Sequence, residues 1–354
     1  MHTLMQRSRW GRYLAVVLLL SCILLGFPQR AFSQVGTFTT FDVPGASYAF
    51  PLSMNEEGDI TGYYFGAGGY HGFVRDRNGI VTTFDAPGAV PAKGTFPNSV
   101  NEEGMVVGTF YTNEVNGTNA SQSHGFVRDK QGTITTLDGP PAPPGTAANS
   151  INEDGVIIGT NGFHDAFVLR TRRPFTLFRV PDATSTVAVS INGEGVIAGS
   201  YYNNGGYPGH GFVRDAHGVI TTFDAPGSEA SITGTLVVGI NDWGTIVGEF
   251  FDENLVWHGF VRDRAGTIST FEAVQGVTTL VFGINNEGTI VGYYGAGLTR
   301  GFVRDPRGSV TTFEVPGSFG GQTQALSIND EGDVAGNYED ANFATHCFVW
   351  RREE

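Results

Sequence analysis

Ser53-Met54-Asn55-Glu56-Glu57-Gly58-Asp59-Ile60-Thr61-Gly62-Tyr63-Tyr64 is the stretch whose reading decides the fold. An asparagine followed three residues later by glycine, set between apolar and β-branched runs, specifies a tight hairpin. The asparagine bonds its own backbone and the glycine takes the positive φ. The phrase recurs at Asn101, Asn152, Asn192, Asn241, Asn285 and Asn329, seven copies in all. After it come H-G-F-V-R-D, first at His71 to Asp76, and then T-T-F-D-A-P-G, first at Thr82 to Gly88. A period of about 45 residues marks a propeller or a solenoid.

The first phrase supplies strands a and b of each unit. Strand c is built around Phe73, Phe126, Phe167, Phe212, Phe260, Phe302 and Phe348, each followed by valine. Five copies then run D-x-x-G, as at Asp76 to Gly79 and Asp215 to Gly218, a second tight hairpin into strand d. Strand d is rich in Thr, Val, Ile and Phe, which suit a pleated surface, and Pro-Gly ends it. No helical periodicity interrupts the series, so helical solenoids are excluded.

The ends separate a propeller from a β-helix. The repeats open with Thr39-Thr40-Phe41-Asp42-Val43-Pro44-Gly45, a d-strand with no a, b or c before it. They close at His346-Cys347-Phe348-Val349-Trp350, a c-strand with no d after it. The first strand can complete the last sheet, and closure hides free sheet edges. The fold expected is all-β: a seven-bladed β-propeller of four-stranded antiparallel blades, its ring closed by the N-terminal strand completing the last blade, as one domain over residues 34–354.

Residues 1–33 differ in kind, with Arg7, Arg9 and Arg12 before an apolar run from Tyr13 to Phe27 and the small-residue site Ala31-Phe32-Ser33. This is the pattern of a secretory signal peptide. A lipoprotein box at Leu19-Leu20-Ser21-Cys22 is the competing reading, but the apolar run continues past the cysteine. The expected location is therefore extracellular or periplasmic, not membrane-embedded, and the expected state monomeric. Without the leader the balance is 17 basic against 35 acidic side chains, a net charge of −18. Such a surface repels nucleic acid and anionic lipid. Cys347 then stands alone, so no disulfide framework is expected; it fills the glycine position of the H-G-F phrase and reads as a small buried residue.

The a-to-b and c-to-d hairpins fall on one face of the disc and the b-to-c and d-to-a connections on the other. The first set is uniform. The b-to-c connection ranges from Asn161-Gly162-Phe163 to Thr112 through Ser123, and variable loops on a rigid scaffold are where recognition sits.

The phrases S-I-N-x-x-G-x-I-x-G and H-G-F-V-R resemble the units of the bacterial extracellular HAF-repeat family, over residues 36 to 351. The middle residue is mostly glycine here, as in His71-Gly72-Phe73 and His258-Gly259-Phe260, while Asp165-Ala166-Phe167 keeps the alanine. The resemblance implies a secreted, propeller-shaped repeat protein and brings no reaction, cofactor or catalytic residue.

Residues that repeat are read as scaffold. His71, His124, His164, His210, His258 and His346 are taken to share one register, with Arg300 near it in blade six, and to make structural hydrogen bonds instead of a metal ring. Arg75, Arg128, Arg214, Arg262 and Arg304 are expected to pair with repeat carboxylates. The strand-b glycines from Gly62 to Gly336 read as contacts between blades. Tyr64, Phe110, Tyr201, Phe250, Tyr294 and Tyr338 read as aromatic wedges, with Asn161 the exception. Blade three carries a basic patch, Arg170, Arg172, Arg173 and Arg179, read as pairing with nearby acids. Asn116 and Asn119 are glycosylation sequons in the longest loop.

Residues that break the repeat are the functional candidates: Tyr70, Tyr111, Tyr207 and Trp257, with the acids Glu249, Asp252, Glu253, Glu339 and Asp340. Aromatics beside carboxylates suit a carbohydrate, whose C–H faces stack on rings while its hydroxyls bond to the acids. G-x-S-x-G, H-E-x-x-H, P-loop and C-x-x-C motifs are absent. The leading expectation is a non-catalytic secreted propeller that binds an extracellular polysaccharide or surface protein through its variable-loop face, without cofactor or metal. The rivals are a carbohydrate-active hydrolase or lyase using loop carboxylates, for which a paired-carboxylate glycosidase needs two acids about 5 to 9.5 Å apart, and a structural or assembly protein.

Overall fold

Each Asn-x-x-Gly phrase closes as the sequence dictates. At Asn55 the carbonyl accepts from Gly58 N at 3.1 Å and the side-chain Oδ1 accepts from Asp59 N at 2.8 Å, with Gly58 at φ 83°. The computed structural model describes residues 36–352 except 116–120, 141–144, 163, 171–172, 204–205 and 229–232. The leader with Cys22, the sequons at Asn116 and Asn119, and Arg172 lie outside the described residues.

Among the described residues twenty-eight strands follow in order. β1 is Gly36–Phe41. Blade one is β2 (Ala46–Met54), β3 (Ile60–Gly66), β4 (Gly69–Arg75) and β5 (Val81–Phe84); blade two is β6 (Thr95–Val100), β7 (Val106–Val115), β8 (Ser121–Arg128) and β9 (Ile134–Leu137). Blade three is β10 (Thr146–Ile151), β11 (Ile157–Asn161), β12 (Asp165–Leu169) and β13 (Thr176–Phe178); blade four is β14 (Ser185–Ile191), β15 (Ile197–Asn203), β16 (Gly206–Arg214) and β17 (Ile220–Phe223). Blade five is β18 (Thr235–Ile240), β19 (Ile246–Phe251), β20 (Trp257–Arg262) and β21 (Ile268–Phe271); blade six is β22 (Thr279–Ile284), β23 (Ile290–Tyr294), β24 (Arg300–Arg304) and β25 (Val310–Phe313). Blade seven is β26 (Ser318–Ile328), β27 (Val334–Asp340) and β28 (Thr345–Arg352), completed by β1. β1 pairs antiparallel with β28 from Gly36↔Arg352 to Phe41↔Cys347, so the seven-bladed ring closes as the offset ends require. Among the described residues no helix is long and apolar enough to cross a membrane.

The asparagines do more than turn the chain. Each donates its amide nitrogen to the backbone carbonyl of the equivalent asparagine one blade on: Asn55 to Asn101 at 3.0 Å, then Asn152, Asn192, Asn241, Asn285 and Asn329 in turn. Asn329 returns to Asn55. The ring is buried, so a broken bond leaves a buried amide donor unsatisfied, while the accepting carbonyl keeps the glycine N–H of its own turn. One residue further along, Glu56 N donates to Glu102, Glu102 N to Glu153, Gly193 N to Asp242, Asp242 N to Asn286, Asn286 N to Asp330 and Asp330 N to Glu56. Gly193 has no side chain to receive Glu153, so this second relay has one gap. Partial burial pushes the Glu56 carboxyl up to about 7.

Phe73, Phe126, Phe167, Phe212, Phe260, Phe302 and Phe348 are fully buried. The strand-b glycines face their own blade. Strand a bulges in every copy, as between Ala188 and Ser190, and a Cβ on Gly199 would overlap the Val187 carbonyl oxygen and the Phe212 ring. These glycines therefore fit strand a to strand c within a blade and are not contacts between blades. The strand-c arginines also depart from expectation. Arg75 lies 4.8 Å over the Phe41 ring, and Arg128, Arg214, Arg262 and Arg304 lie over Phe84, Phe178, Phe223 and Phe271 at 4.8 to 5.0 Å. Each ring belongs to the preceding blade's d-strand. Burial holds these guanidinium groups below their usual range. A flat cation meets an aromatic face at this site, where a carboxylate was expected.

Candidate functional site

The histidine register is structural. His71, His124, His210 and His346 place Nδ1 2.7 to 2.9 Å from Asp85, Asp138, Asp224 and Asp42, each acid at the end of the adjoining d-strand. His258 lies between Glu272 and Asp252 at 3.0 and 3.1 Å. Blade six substitutes the pair Arg300 and Glu314. Blade three corrects the sequence alignment: Asn161 pairs with Asp165, so Asp165 and not His164 occupies the register, and its partner is Arg179 at 2.8 Å. The charges have exchanged places. His164 instead places Nδ1 2.9 Å from the Thr184 carbonyl oxygen. The strand-b aromatics lie against these rings, with Tyr64 and His71 stacked at 5.1 Å. Cys347 is buried as expected, and burial pushes its thiol up.

A cavity of about 460 Å³ opens where blades six, seven and one meet, lined by loop-side segments. One wall is aromatic. Phe50 and Tyr63 stack at 5.2 Å, Tyr63 and Tyr70 meet edge-on at 6.1 Å, and the Tyr48 and Tyr70 hydroxyls are 3.4 Å apart. Phe65 stacks on Tyr48 at 5.3 Å, and Phe96 packs on Tyr63 and Tyr70 at 5.2 and 5.3 Å. The hydroxyl contact with Tyr70 pushes the Tyr48 phenol up to about 12, and burial raises that of Tyr63. Both therefore keep their protons at neutral pH and can donate.

The opposite wall is polar. Gln322 Oε1 accepts from the Thr299 amide and hydroxyl, both at 2.9 Å, and Asn337 donates to the Ala49 carbonyl at 3.0 Å. The Gln324 amide and the Glu339 carboxylate also line the cavity, and neither makes a side-chain hydrogen bond or ion pair among the described residues.

Register explains why the site is here. Phe50 and Phe96 occupy a strand-a position that holds Ala147, Val187, Leu236, Leu280 and Gln324 in the other blades. Tyr63 occupies a strand-b position that holds Thr109, Thr160, Ser200, Glu249, Tyr293 and Asn337 elsewhere. Blades one and seven thus fill one slot of the frame with rings on one side and amides on the other.

The expected site residues are dispersed by the fold. Tyr70 and Glu339 line the cavity, and Tyr111 adjoins it through Phe96 at 6.0 Å. Glu249 lies between blades five and six, accepts from Val281 N at 3.3 Å, and burial pushes its carboxyl up to about 7. Asp252 caps a turn through Val256 N and Asn254 N, and these bonds hold its carboxyl down at about 2. Asp340 does the same through Ala344 N and Asn342 N. Glu253 is exposed on the first of these turns, and Trp257 packs on Phe251 at 4.7 Å. Tyr207 lies on β16, and its side chain is outside the described residues. The cavity wall carries one of the five candidate acids, Glu339. In the longest b-to-c connection, residues 112–115 belong to β7 and residues 121–123 to β8.

Sequence reasoning missed Tyr48, Phe50, Tyr63, Gln322, Gln324 and Asn337, since all lie on strands and not on connections. It also missed Leu255 and Phe343, which hold φ 63° where a D-x-x-G turn would carry glycine and expose 62% and 68% of their surface on the loop face. The D-x-N-L and D-x-N-F spellings were the available signal.

No family model matches the chain, and no curated protein matches it. Its fold is similar to that of virginiamycin B lyase from Staphylococcus aureus, with a TM-score of 0.59 at 12% identity, covering 89% of this chain and 99% of that one. The β-propeller domain of the Trilobed protease from Pyrococcus furiosus gives 0.57 at 10% identity, covering 87% and 96%. A puromycin-hydrolyzing peptidase of Mycobacterium tuberculosis gives 0.58 at 13% identity over 89% of this chain and 54% of that one. At such identities the likeness is one of fold, and propellers carry many unrelated functions.

Proposed function

We propose that this is a secreted, non-catalytic propeller of the HAF-repeat kind that binds an extracellular polysaccharide through its loop face, acting as a monomer outside the cytoplasm. One observation carries the reading: the cavity of about 460 Å³ sets the rings of Tyr48, Phe50, Tyr63 and Tyr70 across from the amides of Gln322, Gln324 and Asn337. Sugar rings present apolar C–H faces and a rim of hydroxyls, and this wall pair offers a partner to each. A hollow of this size favours a saccharide unit over the flat surface of a folded protein.

The test is calorimetry of the purified protein against a panel of oligosaccharides, repeated with Tyr63→Ala and Tyr70→Ala. Loss of one stacking face is expected to weaken binding about tenfold, on the order of 1.4 kcal/mol. Trp257→Ala, in blade five, is expected to leave it unchanged. Unaltered affinity in both tyrosine variants would falsify the assignment of this cavity.

A further inference from the structure

We infer that the cavity takes the ammonium group of an amine-bearing saccharide, with Glu339 as its counter-charge. This rests on the polysaccharide reading above and narrows it to a chemical class. Other acids at the loop-side ends of blades six and seven are already engaged: Asp340 caps its turn and reaches His346, Asp42 receives His346 Nδ1, and Glu314 holds Arg300. Glu339 is half-buried in the wall and makes no ion pair or side-chain hydrogen bond among the described residues. A carboxylate kept unpaired at the edge of a hollow is a place for a positive charge brought by something else.

The rest of the wall agrees. Tyr48, Phe50, Tyr63 and Tyr70 line the space, and the face of an aromatic ring attracts an organic cation. No lysine or arginine lines it. A net charge of −18 over residues 34–354 adds a long-range field of the same sense. An acidic sugar would meet Glu339 with like charge and find no cation in exchange. An N-acetylated sugar would keep its stacking and lose the ionic contact.

The experiment compares glucosamine oligomers with N-acetylglucosamine oligomers of equal length, by calorimetry on the full chain at pH 6 and moderate salt. The deacetylated series is expected to bind at least tenfold more tightly. Glu339→Gln should bring the two series to parity. Glu287→Gln, an equal charge change at an exposed a-to-b turn on the other face, should leave the ratio intact and so account for non-specific attraction. Equal affinity of the two series, or a ratio that survives Glu339→Gln, overturns the amine assignment while the polysaccharide reading stands. Binding of neither series overturns the amine assignment, and the oligosaccharide panel above decides the polysaccharide reading separately. Binding of tetralysine with the same dependence on Glu339, without binding of the amino sugar, overturns the saccharide part.

Discussion

The amide of Asn329 donates to the carbonyl of Asn55, 274 positions earlier, at 3.5 Å. That contact joins the seventh asparagine to the first, and it is the longest in a ring whose other members measure 2.9 to 3.3 Å. The inner ring thus closes most loosely where the chain's two ends meet.

Removing one member of that ring should be costly anywhere around it. Asn192→Ala leaves Val196 N without its side-chain acceptor, while the Asn241 carbonyl keeps only its turn bond from Gly244 N. One orphaned donor at about 1 to 3 kcal/mol and one lost hydrogen bond at about 1 kcal/mol place the loss at about 2 to 4 kcal/mol. Urea denaturation should show a lower midpoint with an unchanged slope.

The strand-b glycines give a sharper contrast. Gly199→Ala drives a methyl into the Val187 carbonyl and should cost about 3 kcal/mol or leave the protein unfolded. Gly206→Ala, with nothing within 4 Å of its Cβ, should shift the thermal midpoint by no more than a degree or two.

Glu249 should make stability depend on pH. Its carboxyl is pushed up to about 7 in the folded protein from a reference of 4.5, chiefly by burial. Between those values the unfolded chain has released the proton and the folded chain retains it, so stability falls as pH rises. The penalty is absent below the unfolded value and complete above the folded one, reaching about 3 kcal/mol. Glu56 and Glu153 shift the same way, so wild type alone does not isolate the contribution of Glu249. Subtracting the stability curve of Glu249→Gln should reveal it, the variant gaining on wild type from pH 5 to 8. A flat difference over that range sinks the attribution.

Deletion of residues 36–41 should open the ring. β28 would lose its partner along its whole paired length, from Gly36↔Arg352 to Phe41↔Cys347, and Arg75 would lose the Phe41 face. A long bare edge recruits other strands. Size-exclusion chromatography should show oligomers in place of a single species.

The frame was readable in the sequence because its chemistry repeats: the Asn-x-x-Gly hairpins, the Phe-Val strands and the offset ends lead directly to seven blades. What the repeated side chains touch was less readable. Arg75 has Asp76 beside it in sequence yet spreads over Phe41, and Gly62 fits its own bulged strand. Both depend on register and twist, which strings of residues do not display. The site was half visible. Tyr70 and Glu339 stood out as breaks in the pattern, but Tyr63 and Gln324 look like ordinary strand residues until the blades are laid side by side. Their meaning comes from comparing one column across seven copies.

β1 in the last blade has a further consequence, for the time course of folding. It leaves the ribosome before the other strands and its partner β28 after them, so the ring cannot close until residue 352 has emerged. In the fully unfolded chain, bringing Asp42 to His346, 304 residues on, carries a loop-closure cost of about 5 kcal/mol, which blades formed earlier reduce. Six blades can assemble as they emerge, each arginine settling on the ring laid down before it. Arg75 alone must wait, since its ring, Phe41, is already made but is not held in place until the final strand arrives.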